Sequence, residues 1–405
     1  MSSIGIIDAD LIGRKKHRFP NLACMKLSSY YKNRNNKVSL VTNYETLDLY
    51  DSLFLSKVFT DTHVPEWVLN LPNISYGGTG FFYDKAPKLD DSIEHAFPDY
   101  HLYDEWVSMQ IANGCKRKDF EYYLDYSIGF LTRGCFRQCE FCVNRGYKTC
   151  LPHSPIHEFY DRDRPKLCFL DDNFFACSSW STIIKEVKSI GKPFQFKQGL
   201  DERLLTDGKI RELASWKYDG DIIFAFDNIN DKDVIERKLL RIFEIYPTWK
   251  KHLKFYVFCG YDRNGIWDED FWINDIRSTF QRIKILSKYS ALPYIMRHEA
   301  VIDSPYQGVY TTLAGWCNQP SIFKKFSYEM YCKCKGMANK YSVYKRDVEG
   351  YLNAGGKKGS AWRYFDLLNE AAPDIVTEFA CFVPYEIAKY GADALHRNNF
   401  IGNTT

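Results

Sequence analysis

Three cysteines stand close together in the run Leu131-Thr132-Arg133-Gly134-Cys135-Phe136-Arg137-Gln138-Cys139-Glu140-Phe141-Cys142-Val143-Asn144-Arg145. The spacing C-x3-C-x2-C on a tight loop lets three thiolates converge on one inorganic centre. A [4Fe–4S] cluster held by three thiolates keeps one iron open to a small molecule. A structural zinc site instead recruits a fourth Cys or His, for which Cys150 and His153 are near in sequence.

The wider composition bears on which of these applies. Thirteen cysteines occur in a chain with no apolar run near the ~18 residues that span a bilayer, and Asp8 and Asp10 close the apolar start. Reduced thiols or metal ligands in a cytoplasmic protein are expected, with neither secretion nor a membrane partner. With 54 Lys+Arg against 51 Asp+Glu the net charge is only +3, so any basic site must be local. Hydrophobic residues at 45% and charged residues at 26% exclude a disordered chain, and no internal repeat is visible. The aromatic share of 17% serves either core packing or stacking platforms.

The elements that must position the cysteines follow from periodicity. Residues 4–7 read as a buried strand, 22–33 as an amphipathic helix, and 38–41 and 52–59 as further strands, a β-α-β alternation. The turn Tyr76-Gly77-Gly78-Thr79-Gly80 lacks the spacing of a phosphate loop and reads as a turn. The polar stretch 84–104 reads as the connection out of this first unit. Strands are then expected at 127–131, 166–170, 194–196, 222–226, 254–258 and 294–296, with helices at 180–190, 207–216, 233–245 and 273–288 between them. Six strands each leading to a helix predict a (β/α)6 partial barrel with its chemistry at the carboxyl ends of the strands. Beyond about Asp303 the pattern becomes irregular, with helices expected at 320–331 and 362–370.

The cysteine loop, the preceding Gly134 and the strand before it resemble the radical S-adenosylmethionine (SAM) superfamily. That resemblance implies a [4Fe–4S] cluster on Cys135, Cys139 and Cys142, with SAM bound to the open iron and cleaved reductively to a 5′-deoxyadenosyl radical. It also implies an electron donor such as flavodoxin or ferredoxin, and it places Phe141 near the adenine. The second strand ends in Asp171-Asp172-Asn173, similar to an Asp-Asp variant of the family's SAM-ammonium stretch; without the family the same residues read as a turn or helix cap. Gln198, Arg203 and Asp227 are expected around the SAM ribose and carboxylate, with helix capping as the plainer role. Of the fifth-strand pattern only Gly260 fits, which leaves the adenine contacts open. Arg297, His298 and Glu299 suit a site or a surface ion pair equally.

The amino-terminal unit resembles the flavodoxin-like, cobalamin-domain-like half of some family members. That resemblance leaves cobalamin a possible cofactor, though no D-x-H-x-x-G stretch supports it, since His17 comes too late after Asp10, and Cys24 alone in residues 1–114 does not support a second cluster. The expected organisation is therefore a flavodoxin-like parallel sheet at 1–115, a radical SAM partial barrel at 120–305 and a mainly helical cap at 306–405. Cys317, Cys332 and Cys334 carry a weak signal for an auxiliary cluster. Lys345, Arg346, Lys357, Lys358, Trp362, Arg363 and Tyr364 combine basic and aromatic residues as contact with an RNA or nucleotide substrate would require, with a solvated surface loop as the plainer reading. The different-class alternative is a non-catalytic zinc or iron–sulfur protein that uses the same loop.

Overall fold

Ser3–Asp8 (β1) is buried along all but its first residue, as suits a strand in the middle of a covered parallel sheet. Its crossover is helix α1, Leu22–Lys32, started by Asn21, whose side chain accepts the N–H groups of Ala23 and Cys24. Lys37–Val41 (β2), Ser52–Ser56 (β3) and Ile74–Gly77 (β4) complete an all-parallel sheet of order β2-β1-β3-β4. The expected continuation of β3 to residue 59 does not occur. Buried Asp10, just past β1, accepts the N–H groups of Val58 and Phe59 at 2.7 and 3.4 Å and turns the chain out of the sheet.

The computed structural model describes residues 1–249, 252–337, 347–384 and 386. They fall into two units, Met1–Leu200 with Trp216–Asp219, and Asp201–Ser215 with the described residues from Gly220 onward. The first unit holds a second parallel sheet, Tyr126–Gly129 (β5), Lys166–Phe169 (β6) and Phe194–Phe196 (β7), in the order β5-β6-β7. The second unit holds a third, Ile222–Ala225 (β8), Leu253–Cys259 (β9) and Leu292–Arg297 (β10), in the order β8-β9-β10. Helices Trp180–Ser189 (α2), Asp207–Ser215 (α3), Lys232–Ile245 (α4) and Glu269–Lys288 (α5) follow β6, β7, β8 and β9 in turn. The fold is thus mixed α/β with parallel sheets, and all six strands expected after residue 120 are present.

Packing explains two features that periodicity left open. The aromatic excess goes largely to core: Phe169, Phe174, Phe194, Phe196 and Trp216 pack with ring centroids 4.6 to 5.8 Å apart. The stretch 84–104, expected as a loose connection, is a packed strap. Tyr100 within it is buried, its hydroxyl donates to the carbonyl of Phe159 at 2.6 Å, and it accepts the N–H of Ile128 on β5 at 2.8 Å.

In the second unit, the helical part begins with Gln307–Cys317 (α6). The single helix expected at 320–331 splits into Pro320–Phe323 and Tyr328–Lys335 (α7), because the Ser327 hydroxyl accepts the N–H of Met330 and starts a new helix. Ser360–Ala371 (α8) covers the helix expected at 362–370. Among the described residues no helix is long and apolar enough to cross a membrane.

One buried cation ties the third sheet together. Arg282 on α5 is 1% exposed and donates to the carbonyls of Phe226, Asp227 and Phe258 at 2.9, 3.0 and 2.8 Å, just past β8 and within β9. Arg282→Met leaves three carbonyls short of a donor and is expected to lower the unfolding free energy by on the order of 3 kcal/mol or more in chemical denaturation; a loss below about 1 kcal/mol would contradict this role.

Candidate functional site

The cysteine loop, residues 134–150, is closed at its base by a short antiparallel pair in which Thr132 and Arg133 face Pro152 and Leu151. Gly134 enters it at φ +102°, where an added Cβ would lie 2.0 Å from the Thr149 carbonyl oxygen, so only glycine fits. Gln138, at φ +50°, donates through Nε2 to the carbonyls of Cys135 and Tyr147 at 2.9 and 3.1 Å. The outer face is tied to the 84–104 side by Tyr83, whose hydroxyl donates to the Phe141 carbonyl at 2.6 Å, and by the Arg145–Asp84 ion pair at 2.6 Å. Phe141 itself is half-buried.

The strand-end triplet after β6 turns out to grip this loop. Asp171, fully buried, accepts the N–H groups of Leu131 and Thr132 at 3.1 and 2.7 Å and the Thr132 hydroxyl at 2.6 Å. Asp172 accepts the Gly134 N–H and the Asn144 side-chain amide, both at 2.7 Å, and so bridges the entry and the exit of the cysteine segment. Asn173 donates through Nδ2 to Cys135 Sγ at 3.3 Å. Asn173 also heads the short turn that follows, its carbonyl accepting the Ala176 N–H at 3.0 Å, while its side chain makes no capping bond there. Burial pushes the Asp171 carboxyl up to about 7 against the pull of its donors, and it raises Asp172 as well.

The thiols of Cys135, Cys139 and Cys142 are part-buried on this one loop, and none of the thirteen cysteines is in a disulfide. Burial holds the Cys142 thiol up, with Asp172 and Cys135 adding to the effect. Among the described residues no three His, Cys, Asp or Glu side chains are gathered as a metal-binding group. The alternative fourth ligands are differently placed. Cys150 is buried and donates to the Asn173 carbonyl at 3.2 Å, whereas His153 is engaged by Glu94 at 3.0 Å. Glu94, which burial alone would raise, is drawn down to about 2 by His153 and Lys26.

The remaining expected site residues divide between the units. Gln198 is exposed in the first. In the second, Arg203 is occupied by Asp201 and Asp231, each at 2.8 Å, with Glu202 at 3.7 Å. Asp227 accepts the Phe258 N–H at 3.0 Å, and it is Asn228 that caps the following turn. Gly260, at φ +78°, donates to Asp275 at 2.9 Å, and a Cβ there would meet Val301 at 2.2 Å. Glu202, passed over in the sequence, is 1% exposed, neither of its carboxyl oxygens has a hydrogen-bond partner, and burial pushes it up to about 8. Arg297 donates to Thr311, and His298 accepts the Ala300 N–H as a cap.

Other candidates are now located. Cys317, Cys332 and Cys334 are buried in α6 and α7. Trp362 is 3% exposed beneath Lys358, which pairs with Asp366 at 2.6 Å, so its ring is core and no open stacking platform. Lys345 and Arg346 lie outside the described residues. The sequence reading missed the basic run Arg14-Lys15-Lys16-His17-Arg18 after β1, where Lys15 and Lys16 are exposed and Arg14 lies 4.2 Å over the exposed Phe59 ring; five consecutive basic residues were the available signal. A cleft of about 840 Å³ in the first unit is lined by Lys26, Gly78, His95, Arg133, Tyr147 and His153. His95 and His153 are held by Glu158 and Glu94, and the His17 side chain is 10% exposed and 4.0 Å from Asp8.

No protein-family model matches the chain, and no curated protein does. Among solved structures it matches that of the cobalamin-dependent S-adenosylmethionine radical enzyme OxsB with aqua-cobalamin bound. The identity is 11% and the TM-score 0.33, and the match covers 73% of this chain and 49% of that one. The match thus spans about half the length of that protein, and a likeness this weak carries no argument about fold or function.

Two outcomes test the geometry. Asp172→Ala removes the acceptor of two loop donors and is expected to cost on the order of 1–3 kcal/mol of stability and to speed amide exchange at Gly134, while Gln198→Ala changes stability by less than about 0.5 kcal/mol; equal effects would deny the bridge. Glu202, with a folded pKa above its unfolded value, contributes stability that is full in acid and lost as pH rises toward about 8. Glu202→Gln is therefore expected to gain in melting temperature relative to the native protein between pH 5 and pH 8 and to level off above that, and a difference independent of pH would refute a buried carboxyl left without a hydrogen bond.

Proposed function

We propose that the chain is a radical SAM enzyme that holds a [4Fe–4S] cluster through Cys135, Cys139 and Cys142. The observation that carries the reading is the C-x3-C-x2-C loop placed just after β5 and gripped by Asp171, Asp172 and Asn173 from the end of the neighbouring strand β6. The donor set fits the group: three thiols on one short loop, backbone N–H groups and an amide beside them, and no disulfide competing for the sulfurs. When bound, the cluster and SAM supply a one-electron reductive cleavage that ends in a 5′-deoxyadenosyl radical.

The chain's own residues do the rest. Asp172 fixes both arms of the loop, Gly134 permits its entry turn, and Phe141 is the residue assigned to the adenine. Gln198, Arg203, Asp227 and Gly260 are assigned to the remainder of SAM, with Arg203 having to share its guanidinium with Asp201 and Asp231. In this reading residues 1–115 form a flavodoxin-like domain, 120–305 the partial barrel and 306–405 a cap. Cobalamin is a possible further cofactor of the amino-terminal unit, without a D-x-H-x-x-G stretch to support it. Flavodoxin or ferredoxin is the electron donor, a reducing cytoplasm is the compartment that suits thirteen cysteines outside disulfides, and RNA or a nucleotide is one candidate for a substrate that is not yet identified.

The opposing reading is a zinc or iron–sulfur protein without catalysis, in which Cys150 joins the loop. Anaerobic reconstitution decides between them. The enzyme is expected to bind about four irons per chain and, once reduced, to form 5′-deoxyadenosine from SAM. Single changes of Cys135, Cys139 or Cys142 to Ala abolish the iron, while Cys24→Ala, Cys168→Ala and Cys259→Ala retain it. Zinc alone, lost without Cys150 as well as without Cys139, and no cleavage of SAM would establish the opposing reading.

A further inference from the structure

We propose that Asn173 is a positioning residue that sets the reduction potential of the cluster by donating its side-chain amide to the sulfur of Cys135. This rests on the cluster reading above and gives Asn173 a role different from the contact with SAM expected of it.

Three observations fix the amide. Asn173 is 3% exposed, and its Nδ2 lies 3.3 Å from Cys135 Sγ, within the range of an N–H to sulfur hydrogen bond. Its own backbone carbonyl accepts the thiol of buried Cys150 at 3.2 Å. Its two preceding neighbours, Asp171 and Asp172, are bound to the backbone of residues 131, 132 and 134, so the segment that carries the amide and the segment that carries the sulfur are held to each other just ahead of Cys135. A donor held from both sides is not free to swing away when the charge on the sulfur changes.

The electrostatic setting gives the contact its consequence. The loop faces the carboxyl groups of buried Asp171 and half-buried Asp172, and three thiolates would add further negative charge to the same surroundings. The affected step is a one-electron reduction in which an electron from an external donor, such as flavodoxin, enters the cluster and no bond breaks. Reduction makes the sulfurs more negative, so an N–H dipole aimed at one of them stabilises the reduced form more than the oxidised form. Hydrogen bonds to ligand sulfurs are among the protein's main means of setting such potentials.

The test is an EPR-monitored redox titration of the anaerobically reconstituted full chain, compared among the native protein, Asn173→Leu and Asn173→Asp, with iron content and melting temperature measured on each. Leu keeps the approximate shape and removes the donor, and Asp removes the donor and places a carboxyl group in its stead. The expected result is a midpoint potential more negative in Asn173→Leu than in the native protein, and more negative again in Asn173→Asp, at unchanged iron content. Potentials that coincide with the native value would overturn the proposal while leaving the cluster reading intact. If Asn173→Leu alone fails to load, Asn173→Asp decides by the same sign. Loss of iron from both variants at native melting temperature would also overturn it, because Asn173 would then be a requirement of ligation. A native chain that takes up no iron–sulfur cluster would defeat the functional reading itself, a result no variant could imitate.

Discussion

The withdrawal from water of two adjacent carboxyl groups, fully buried Asp171 and half-buried Asp172, is the constraint on which the cysteine loop depends. A carboxyl group out of water must be satisfied, and here the donors are backbone and side-chain groups of Leu131, Thr132, Gly134 and Asn144, at the entry to the loop and just past its last cysteine. Each hydrogen bond to a charged acceptor is worth about 1.5–3 kcal/mol. Desolvation nevertheless outweighs them at Asp171, whose carboxyl is held near 7. The result is a segment whose ends are fixed by the neighbouring strand, although the segment itself has almost no regular structure between residues 134 and 150.

The same economy appears in the second unit, where charges at strand ends are held by side chains rather than left to solvent. Arg282 gathers carbonyls from past β8 and from β9, Asp275 takes the N–H of Gly260, and Asp227 takes that of Phe258. Around Arg203 three carboxyl groups share one guanidinium, and Glu202 is the member left without a hydrogen bond. A buried carboxyl so placed is a cost to stability above its unfolded pKa, and sites of this kind concentrate where a protein does chemistry.

Much of this was legible in the sequence because parallel strands buried on both faces read as short apolar runs; β6, β7 and β8 begin where periodicity puts them. What was not legible depended on contacts distant in the chain. The end of β3 is set by Asp10, 48 residues before Val58, and the strap at 84–104 looks like a linker because its tyrosines are polar by composition and buried by packing. The Asp-Asp-Asn triplet was marked as functional from resemblance, yet its hold on the loop spans 38 residues between Asp172 and Gly134 and has no local signature. Trp362 illustrates the opposite error, since basic neighbours made a core residue look like a platform. Glu202 gave no signal, because only the three-dimensional placement of donors reveals a carboxyl left without a hydrogen bond.

The central claim is that three thiolates on this loop hold a cluster with one iron left for SAM. Mössbauer spectroscopy of the full chain reconstituted with iron-57, recorded with and without SAM, tests it most directly. The account predicts about four irons per chain, of which one changes its signal on addition of SAM while the others keep theirs. A spectrum that SAM leaves unchanged, or a loop that takes up zinc in place of iron, would contradict it.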